Sequence, residues 1–341
     1  MTKQPTAPTS ADVARLAGVS RATVSYVLND AVGGRVGEET RLRVRAAAEQ
    51  LGYVPHAAAR SLRAGRTGVV LLNSPDAVWG PLFNEHVGAL RTGLRRRGYT
   101  LVIYGDTGSG AGSEAAARQW AELRPAAVLA PLGDTPTPAA IELLKHAGTR
   151  AVFTLSEEKV PGAHALKFDQ RTVGAAAANH LVRRGRRAIG AVVPTDPTLE
   201  LFSLPRIEGV AAAVEAGSRA GERIRVERID LDYTEEAAAR LAAEWPSLGL
   251  DGLFAYNDEY AMLVLSAFQD AGIAVPEEVS LVGADDLMLC RLLRPRLTSV
   301  RLPMPSGGFL AELIDRLVQN PDGPEEMHDY GEARIVVRES S

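Results

Sequence analysis

The apolar positions near the start of the chain repeat at the spacing of a short helix, with Val13, Ala14 and Ala17 on one face. Thr9 and Asp12 stand three residues apart, as the partners of a capping box do, with Asp where Glu is commoner. The pattern therefore predicts a helix that begins at Thr9 and buries one face.

A second short helix is predicted directly after the first. Gly18 supplies a tight turn, and Ser20 is a favoured N-cap residue. The apolar residues expected to be buried on this helix are Val24, Val27 and Leu28. Its outer side is small and polar and begins with an arginine, which suits insertion into a DNA major groove. An ordinary helical hairpin is the alternative.

A third helix is predicted over Glu38–Gln50, with Gly52 as its C′ residue. Its inward positions are predicted to be Leu42, Ala46 or Ala47, and Leu51, and its outward positions Arg41, Arg43 and Arg45. Residues 57–62 then have good helix propensity but are too short to form a stable helix without a partner.

From residue 69 onwards, apolar runs alternate with helical patterns. The first series has predicted strands at 69–72, 100–104, 126–131, 150–155 and 165–168, and predicted helices at 84–97, 113–123 and 138–147. The second has predicted helices at 170–184, 205–216, 235–245, 259–271 and 307–319, and predicted strands at 188–193, 223–229, 252–255, 280–283 and 335–337. This alternation predicts an α/β fold in which right-handed βαβ units build two lobes with parallel sheets facing a cleft.

The early part of the chain also carries a long motif. Asp-Val-Ala-x-x-Ala-Gly-Val-Ser-x-x-Thr-Val-Ser starts at Asp12, Leu-Gly-Tyr-x-Pro spans 51–55, and Ala-Arg-Ser-Leu spans 59–62. These motifs resemble those of the LacI-type (lactose repressor) family of transcription regulators. The resemblance implies a helix-turn-helix headpiece whose second helix reads the major groove, and a two-lobed body like that of periplasmic sugar-binding proteins.

The same resemblance implies a hinge helix that orders in the DNA minor groove and wedges Leu62 between base pairs. Packing of Leu62 on the body is the alternative. The predicted boundaries are 1–55 for the headpiece, 56–66 for the hinge helix and linker, and 67–341 for the effector-binding and dimerisation body. The DNA-contacting residues are predicted to be Ser20, Arg21, Ala22, Thr23, Ser25, Tyr26, Asn29, Ala59 and Leu62. Tyr26 and His56 depart from the family pattern, which usually has arginine and asparagine there.

Charge supports this division. The net charge of −4 hides a basic start, because residues 1–66 hold ten Lys and Arg against five Asp and Glu. The remainder holds 28 against 37, by subtraction from the totals of 38 and 42. A basic headpiece joined to an acidic body fits a DNA-binding protein with a separate sensing domain.

Polar and aromatic residues recur where strands of the second series end, the edge at which doubly wound sheets bind ligands. The resemblance implies effector contacts for Asp169, Arg206, Asn257 and Asp285, with Tyr233 where an aromatic ring often stacks on the ligand. Asn73 ends the first strand and is the candidate from the first lobe. Helix caps for Asp169 and Asn257, and a turn for Asp286, are the alternative interpretations. Carboxylates, arginine and an aromatic face together favour a polar effector such as a sugar or a nucleoside.

Other function classes find less support. The loop at 108–112 is rich in glycine but matches neither a dinucleotide-binding motif nor a P-loop, and the six histidines lack metal-site spacing. We therefore expect no cofactor, no metal and no catalysis. Cys290 is the single cysteine and is expected to be buried. A solute-binding protein and a sugar- or nucleotide-processing enzyme are the alternatives, and a gel shift with the upstream DNA separates them from a regulator.

The assembly and location follow from the same reasoning. Two headpieces would read a palindromic operator as a homodimer, and the tetramerising leucine-heptad tail found in some family members is not seen before Ser341. The first ten residues lack the apolar segment of a secretory signal, and apolar runs fall short of membrane-spanning length. The sequence thus predicts a repressor that is located in the cytoplasm and does not associate with a membrane.

Overall fold

The computed structural model describes residues 8–28, 36–53, 67–73, 80–105, 113–130, 135–156, 158–217 and 224–341. The chain divides into two compact units, Met1–Gly68 and Val69–Ser341. We call the first unit the headpiece and the second the body. The predicted hinge at 56–66 lies outside the described residues, so the finer boundaries stay a prediction.

The described helices of the headpiece are α1 (Ser10–Ala17), α2 (Arg21–Leu28) and α3 (Glu38–Gln50). At the start of α1 the Asp12 carboxylate accepts hydrogen bonds from the backbone N–H (2.9 Å) and the hydroxyl (2.7 Å) of Thr9. Gly18 ends α1 in the left-handed conformation at φ 66°. The Ser20 hydroxyl accepts a hydrogen bond from the Thr23 N–H at 3.0 Å and so caps α2. These local signals set the helix ends as the sequence predicts.

The headpiece core corrects one prediction for α3. Val44 is fully buried, with Ala47 and Ala48 beside it, whereas Leu42 is 59% exposed. The buried positions 44, 47, 48 and the half-buried 51 keep a helical period. The phase differs from our prediction because Val44 faces the Val24 and Val27 side of the core and leaves Leu42 on the opposite face.

The body contains two six-stranded sheets. The strands of the first are β1 (Val69–Asn73), β2 (Thr100–Tyr104), β3 (Ala127–Ala130), β4 (Ala151–Leu155), β5 (His164–Lys167) and β11 (Met327–Asp329). They lie in the order β11-β5-β4-β3-β1-β2, and the pairs are all parallel. The helices of this lobe are α4 (Pro81–Arg96), α5 (Ser113–Glu122), α6 (Pro138–His146) and α12 (Gly307–Gln319).

The second sheet has the same layout. Its strands are β6 (Ala188–Pro194), β7 (Arg225–Leu231), β8 (Gly252–Phe254), β9 (Ser280–Ala284), β10 (Thr298–Arg301) and β12 (Arg334–Val336), in the order β12-β10-β9-β8-β6-β7. Only the β10–β12 pair is antiparallel. The helices of this lobe are α7 (Arg171–Arg183), a 3-10 turn (Pro197–Leu199), α8 (Glu200–Gly217), α9 (Glu235–Leu248), α10 (Asp258–Asp270) and α11 (Leu289–Leu292).

The chain passes between the two lobes three times among the described residues. The crossings lie between β5 and α7, between β10 and α12, and between β11 and β12. After the second crossing, α12 and β11 belong to the first lobe. The third crossing brings the chain back to the second lobe, where it forms β12.

The predicted elements of the body are present, with ends that shift by a few residues. The largest change is at α8, which begins at Glu200 and carries Pro205 inside it, whereas the sequence predicts a start at that proline. Four short elements were not predicted, namely the 3-10 turn (Pro197–Leu199), α11, β10 and β11. They have three or four residues each, and a segment this short gives only a weak hydrophobic pattern. None of the described helices is long and apolar enough to cross a membrane.

Candidate functional site

A cavity of about 670 Å³ lies between the two lobes of the body. All three crossings contribute to its lining, through Phe168 and Gln170, through 302–305, and through Tyr330. A volume in this range suits a small-molecule ligand. A ligand held there touches both lobes and the segments that connect them.

Arg206 is the central cation of the cavity. It is 4% exposed and lies in the second turn of α8, directly after Pro205. Its Nε donates to the Gln170 side-chain oxygen at 2.8 Å, and its Nη1 donates to the Tyr256 carbonyl oxygen at 2.7 Å. The guanidinium also lies 4.8 Å from the centroid of the Tyr256 ring. These contacts hold Arg206 in one position before any ligand binds.

Two glycines bring α8 close enough to place that arginine. A Cβ atom at Gly174 of α7 would lie 1.8 Å from the Arg206 carbonyl oxygen, and one at Gly209 would lie 2.0 Å from the Arg171 carbonyl oxygen. Both positions exclude a larger residue because the obstacle is backbone. Gly209, three residues after Arg206, therefore permits the helix contact that positions Arg206.

Asp285 reaches the cavity through a sharp turn at the end of β9. Asp285 and Asp286 have positive φ angles of 100° and 52°, a conformation that non-glycine residues rarely adopt. The surroundings hold the turn in place: the Asp286 N–H donates to the Ser299 hydroxyl at 3.0 Å, and the Asp286 carboxylate pairs with Arg301 and Arg338. The turn directs Asp285 into the cavity and Asp286 into these ion pairs.

The Asp285 carboxylate is an acceptor with spare capacity. Its Oδ1 lies 3.7 Å from Arg206 Nη2, which is an ion pair but too long for a hydrogen bond. That buried oxygen has no hydrogen-bond partner among the described residues. Burial raises the pKa of Asp285, and the Arg206 charge opposes that rise. A buried acceptor of this kind can be satisfied by a ligand hydroxyl.

Three tyrosines form one side of the site. The Tyr233 and Tyr260 rings lie 5.0 Å apart, and Tyr260 meets Tyr256 edge-on at 5.7 Å. Burial raises the pKa of Tyr256 to about 12. Tyr233 is half exposed at the cavity, so its ring face is available to a ligand.

The predicted effector residues divide into two groups. Arg206, Tyr233, Asn257 and Asp285 line the cavity. Asn257 is also a helix cap, because its Oδ1 accepts a hydrogen bond from the Tyr260 N–H at 3.0 Å, and its amide nitrogen lies 3.5 Å from Glu259 Oε2.

The other two predicted residues are not brought together with them. Asp169 and Asn73 are not among the described residues that line the cavity; their neighbours Gln170 and Leu72 are. The Asp169 Oδ1 accepts from the Arg171 N–H at 2.8 Å, so it serves the start of α7. Asn73 lies at the end of β1, where alternation along the strand turns Leu72 and Asn73 to opposite faces.

Sequence reasoning missed several polar residues of the lining. They include Gln170, Asp196, Asp232, Tyr256, Glu259 and Tyr260. Of these six, all but Tyr260 lie within two residues of a predicted site residue or follow a predicted strand, so the strand-end rule could have found them. Tyr260 needed the structure, because its ring reaches the cavity from the first turn of α10.

The predicted DNA-contacting residues lie mainly on the outer side of α2. Ser20, Arg21 and Ala22 are exposed, and Thr23, Ser25 and Tyr26 are half-buried. The core-facing residues Val24 and Val27 are each 1% exposed. Asn29, Ala59 and Leu62 lie outside the described residues. The described part of the helix therefore presents a polar face that begins at its N-terminus.

Comparison with known proteins decides the family. A model of bacterial regulatory proteins of the lacI family matches residues 9–56, and a model of periplasmic binding protein-like domains matches residues 178–341. The HTH-type transcriptional regulator GntR of Pseudomonas aeruginosa is 30% identical over 338 residues, covering 98% of this chain and 96% of that protein. The chain belongs to the LacI family of bacterial regulatory proteins.

Two further similarities span the LacI-family chain. The HTH-type transcriptional repressor PurR of Escherichia coli is 30% identical over 340 residues, covering 96% of this chain and 95% of that protein. The structure of the transcriptional regulator CelR in complex with cellobiose has 26% identity and a TM-score of 0.62, covering 98% of this chain and 100% of that chain.

These relatives confirm the predicted class of function. The protein is a DNA-binding transcriptional regulator with an α/β effector-binding body, and it is not an enzyme. The alternatives of a solute-binding protein and of a sugar-processing enzyme are thereby set aside.

Proposed function

We propose that this regulator is a homodimeric repressor whose affinity for a palindromic operator is controlled by a small neutral sugar bound between the lobes of the body. The observation that carries the proposal is the buried Arg206–Asp285 pair, fixed on the protein side and with one carboxylate oxygen unpartnered among the described residues. Such a pair suits a ligand that offers adjacent hydroxyl groups.

The sugar assignment rests on the kinds of groups that surround this pair. Asp285 accepts from hydroxyls, Asn257 donates through its amide, and the Tyr233 ring covers the apolar face of a pyranose. CelR, which is similar over the whole chain, has been solved with cellobiose. Asp169 and Asn73 keep only the support of the family resemblance.

A ligand that binds in this cavity can change the affinity for DNA by changing how the two lobes are arranged. Because the lining includes all three crossings, a ligand that bridges the lobes stabilises one lobe arrangement over another. It changes operator affinity only by its difference in affinity for the two arrangements, typically about 1–3 kcal/mol. The response passes through the hinge at 56–66, where Ala59 and Leu62 are proposed to contact the minor groove.

The assembly follows from the symmetry of operator binding. We infer boundaries at 1–55, 56–66 and 67–341, with two headpieces on the two halves of a palindrome and two bodies in contact. A protein that acts on chromosomal operators works in the cytoplasm.

On the DNA side, Arg21 and Ala22 at the exposed start of α2 are proposed to choose base pairs, and Ser25 to contact a phosphate. Selecting operators from a randomised DNA library tests this. The Arg21→Ala protein should lose preference at one base pair per half-site, about 1–3 kcal/mol of discrimination. Arg118→Ala, an exposed arginine on α5 in the body, should return the wild-type motif. If the Arg21→Ala protein selects the same motif at the same strength, Arg21 contacts only the DNA phosphate backbone and does not choose a base pair.

A further inference from the structure

Asp258 is a fully buried carboxyl residue whose two neighbours in the chain, Asn257 and Glu259, line the cavity, whereas Asp258 is not among the described lining residues. It occupies the first position of α10, but the cap of that helix is Asn257. The hydrogen-bond partners of the Asp258 carboxylate lie on other elements. A role at the start of its own helix therefore does not account for it.

Three donors from neighbouring segments converge on this carboxylate. Its Oδ2 accepts a hydrogen bond from the Leu287 N–H at 2.8 Å, and its Oδ1 accepts one from the Ser299 hydroxyl of β10 at 2.6 Å. The Cys290 thiol of α11 donates to it as well. The Ser299 oxygen in turn accepts from the Asp286 N–H at 3.0 Å. Asp258 thus orients Ser299, and Ser299 holds the backbone at Asp286.

These contacts hold the sharp turn at Asp285. Asp258 fixes one N–H after the turn directly, at Leu287, and a second through Ser299. The positive φ angles of Asp285 and of the residue after it are a conformation that the surroundings must enforce. The sheet leaves room for the carboxylate that does so, since a Cβ atom at Gly283 of β9 would lie 2.3 Å from Asp258 Oδ1.

Hydrogen bonds hold this carboxylate without a paired cation among the described residues. Arg301 of β10 and Arg338, which follows β12, pair with Asp286. Burial raises the pKa of Asp258 to about 7, against the effect of the three donors and together with that of the Asp285 charge. The other titratable groups around it have pKa values that burial also raises, namely Asp285, Glu259 and Cys290.

A proton on Asp258 disrupts this network. A carboxylate accepts from all three donors, whereas a carboxylic acid carries an O–H that must itself donate. Among the three partners, the Ser299 oxygen is the strong acceptor, because an N–H accepts nothing and a thiol accepts weakly. The Ser299 proton then has to leave the carboxyl group, and its oxygen is shared with the Asp286 N–H.

We propose that Asp258 is a positioning residue for effector binding, which holds the Asp285 turn as a carboxylate and releases the turn when it takes up a proton. The proposal concerns the protein without ligand and goes beyond the proposed function. Its consequence for the effector rests on that function: because Asp285 lines the cavity, effector affinity should fall as the pH falls through neutrality.

The stability of the fold depends on the same proton in the opposite direction. The pKa of about 7 in the folded chain lies above the ordinary value of 3.8. The contribution of Asp258 to stability is therefore full below the ordinary value and is lost as the pH rises through about 7. A residue that only stabilised the fold would favour the turn and the stability at the same pH. Opposite pH dependences are the signature of positioning.

Cys290 provides a direct probe, because it is the single cysteine of the chain and its thiol donates to Asp258. The S–H stretching band of the reduced full-length protein is recorded by infrared spectroscopy between about pH 5.5 and about pH 8.5. A charged acceptor makes the stronger hydrogen bond, so the band should lie at lower frequency above the midpoint of about 7 and move upward below it. Cys290→Ala assigns the band by removing it.

Amide exchange measures the turn itself. Deuterium exchange of the Asp286 and Leu287 N–H groups is followed by NMR over the same pH range, as a ratio to the rate in the unfolded chain. Their protection should fall by about tenfold or more at the acidic end, the effect of losing a hydrogen bond to a charged acceptor. Asp258→Asn, which cannot ionise, should abolish the pH dependence of both the band and the protection. Asp270→Asn, at an exposed position on the same helix, should follow wild type.

Urea denaturation adds the stability measurement. Asp258→Asn should become more stable relative to wild type as the pH rises through about 7, because wild type then buries a charge that the variant does not carry. Ser299→Ala keeps Asp258 and removes the link to Asp286. It should keep the shift of the S–H band and lower the protection of the Asp286 N–H at every pH, and it decides the matter if Asp258→Asn does not fold.

The outcomes are distinct, and none of these measurements uses an effector, so they do not depend on the proposed sugar. A band that does not shift in wild type, or that shifts without a change in protection, overturns the proposal. A shift that persists in Asp258→Asn assigns the proton to another group, such as Glu259, and overturns it as well. Unchanged protection of the Asp286 N–H in Ser299→Ala contradicts the link through Ser299 and has the same result.

Discussion

Two adjacent aspartates show how closely residue roles depend on backbone geometry. Asp285 and Asp286 have the same chemistry, yet one lines the cavity and the other is 4% exposed in its side chain between Arg301 and Arg338. The family resemblance implies that the first of the two, Asp285, is the effector contact. Asp286 cannot contact a ligand in the cavity, because the two consecutive positive φ angles turn the side chains of Asp285 and Asp286 apart.

The buried ion pair of Arg206 makes a prediction about stability. Arg206→Gln should lower the free energy of unfolding by about 3 kcal/mol, because Asp285 is left as an unpaired buried charge and the Tyr256 carbonyl loses its donor. Arg301→Gln is the matched control, since its side chain is 58% exposed and Arg338 still pairs with Asp286. It should cost less than about 1 kcal/mol. Urea denaturation measures both, and equal losses would contradict the prediction.

His180 gives the protein a pH dependence that can be assigned to one residue. It is 5% exposed, its Nε2 lies 2.8 Å from the Ser341 hydroxyl, and burial with the nearby Arg184 and Arg183 lowers its pKa to about 4. Below the ordinary histidine pKa the unfolded chain takes up a proton that the folded chain does not. Stability is therefore lost as the pH falls from about 6.5 towards about 4.

A variant isolates that contribution. His180→Gln should be less stable than wild type at about pH 7.5, and the difference should shrink by about 2 kcal/mol at about pH 5. His146→Gln, at an exposed position on α6, should track wild type at both values. A stability difference for His180→Gln that stays constant with pH would show that His180 does not titrate as its burial requires.

At the scale of elements, sequence signals predicted the helix ends better than the helix faces. The α1 and α2 ends followed from Thr9, Gly18 and Ser20, because caps and turns are local chemistry. On α3 the predicted inward positions Ala47 and Leu51 are buried or half-buried, but Val44 is buried instead of Leu42. Tertiary partners decide which of these two apolar residues faces inward.

The α7–α8 contact makes the next prediction. Gly174→Ala should destabilise the body by several kcal/mol, since its Cβ would collide with the Arg206 carbonyl oxygen. It should also weaken effector binding, because α8 must move and takes Arg206 with it. Gly88→Ala on α4 has open space around the added atom and should be neutral or stabilising by up to about 1 kcal/mol. Calorimetric melting of both variants checks this, and a harmless Gly174→Ala would contradict the packing.

At the scale of the whole molecule, the sequence predicted the fold class but only part of the cavity. Alternating strands and helices predicted two α/β lobes, and the family resemblance directed attention to Arg206, Asn257 and Asp285, which all line the cavity. The sequence could not show that β11 returns to the first lobe or that the three crossings line one cavity, because both depend on how distant segments of the chain pack together. The apolar residues that the first lobe contributes to the cavity, among them Leu82, Phe83 and Leu155, were also not predicted, since in the sequence they look like ordinary core residues.

The central claim is that the cavity and the operator communicate, and operator affinity tests it directly. Fluorescence anisotropy measures the dissociation constant of a selected palindromic operator, with and without the sugar that binds the wild-type protein most tightly in a calorimetric screen, for wild type and Asp285→Asn. Asparagine keeps the shape and tolerates the positive φ at this position. Wild type should change its affinity by about 5- to 150-fold with ligand, whereas Asp285→Asn should bind the operator normally without ligand and respond little. A full response in Asp285→Asn would place the effector site elsewhere and contradict the account.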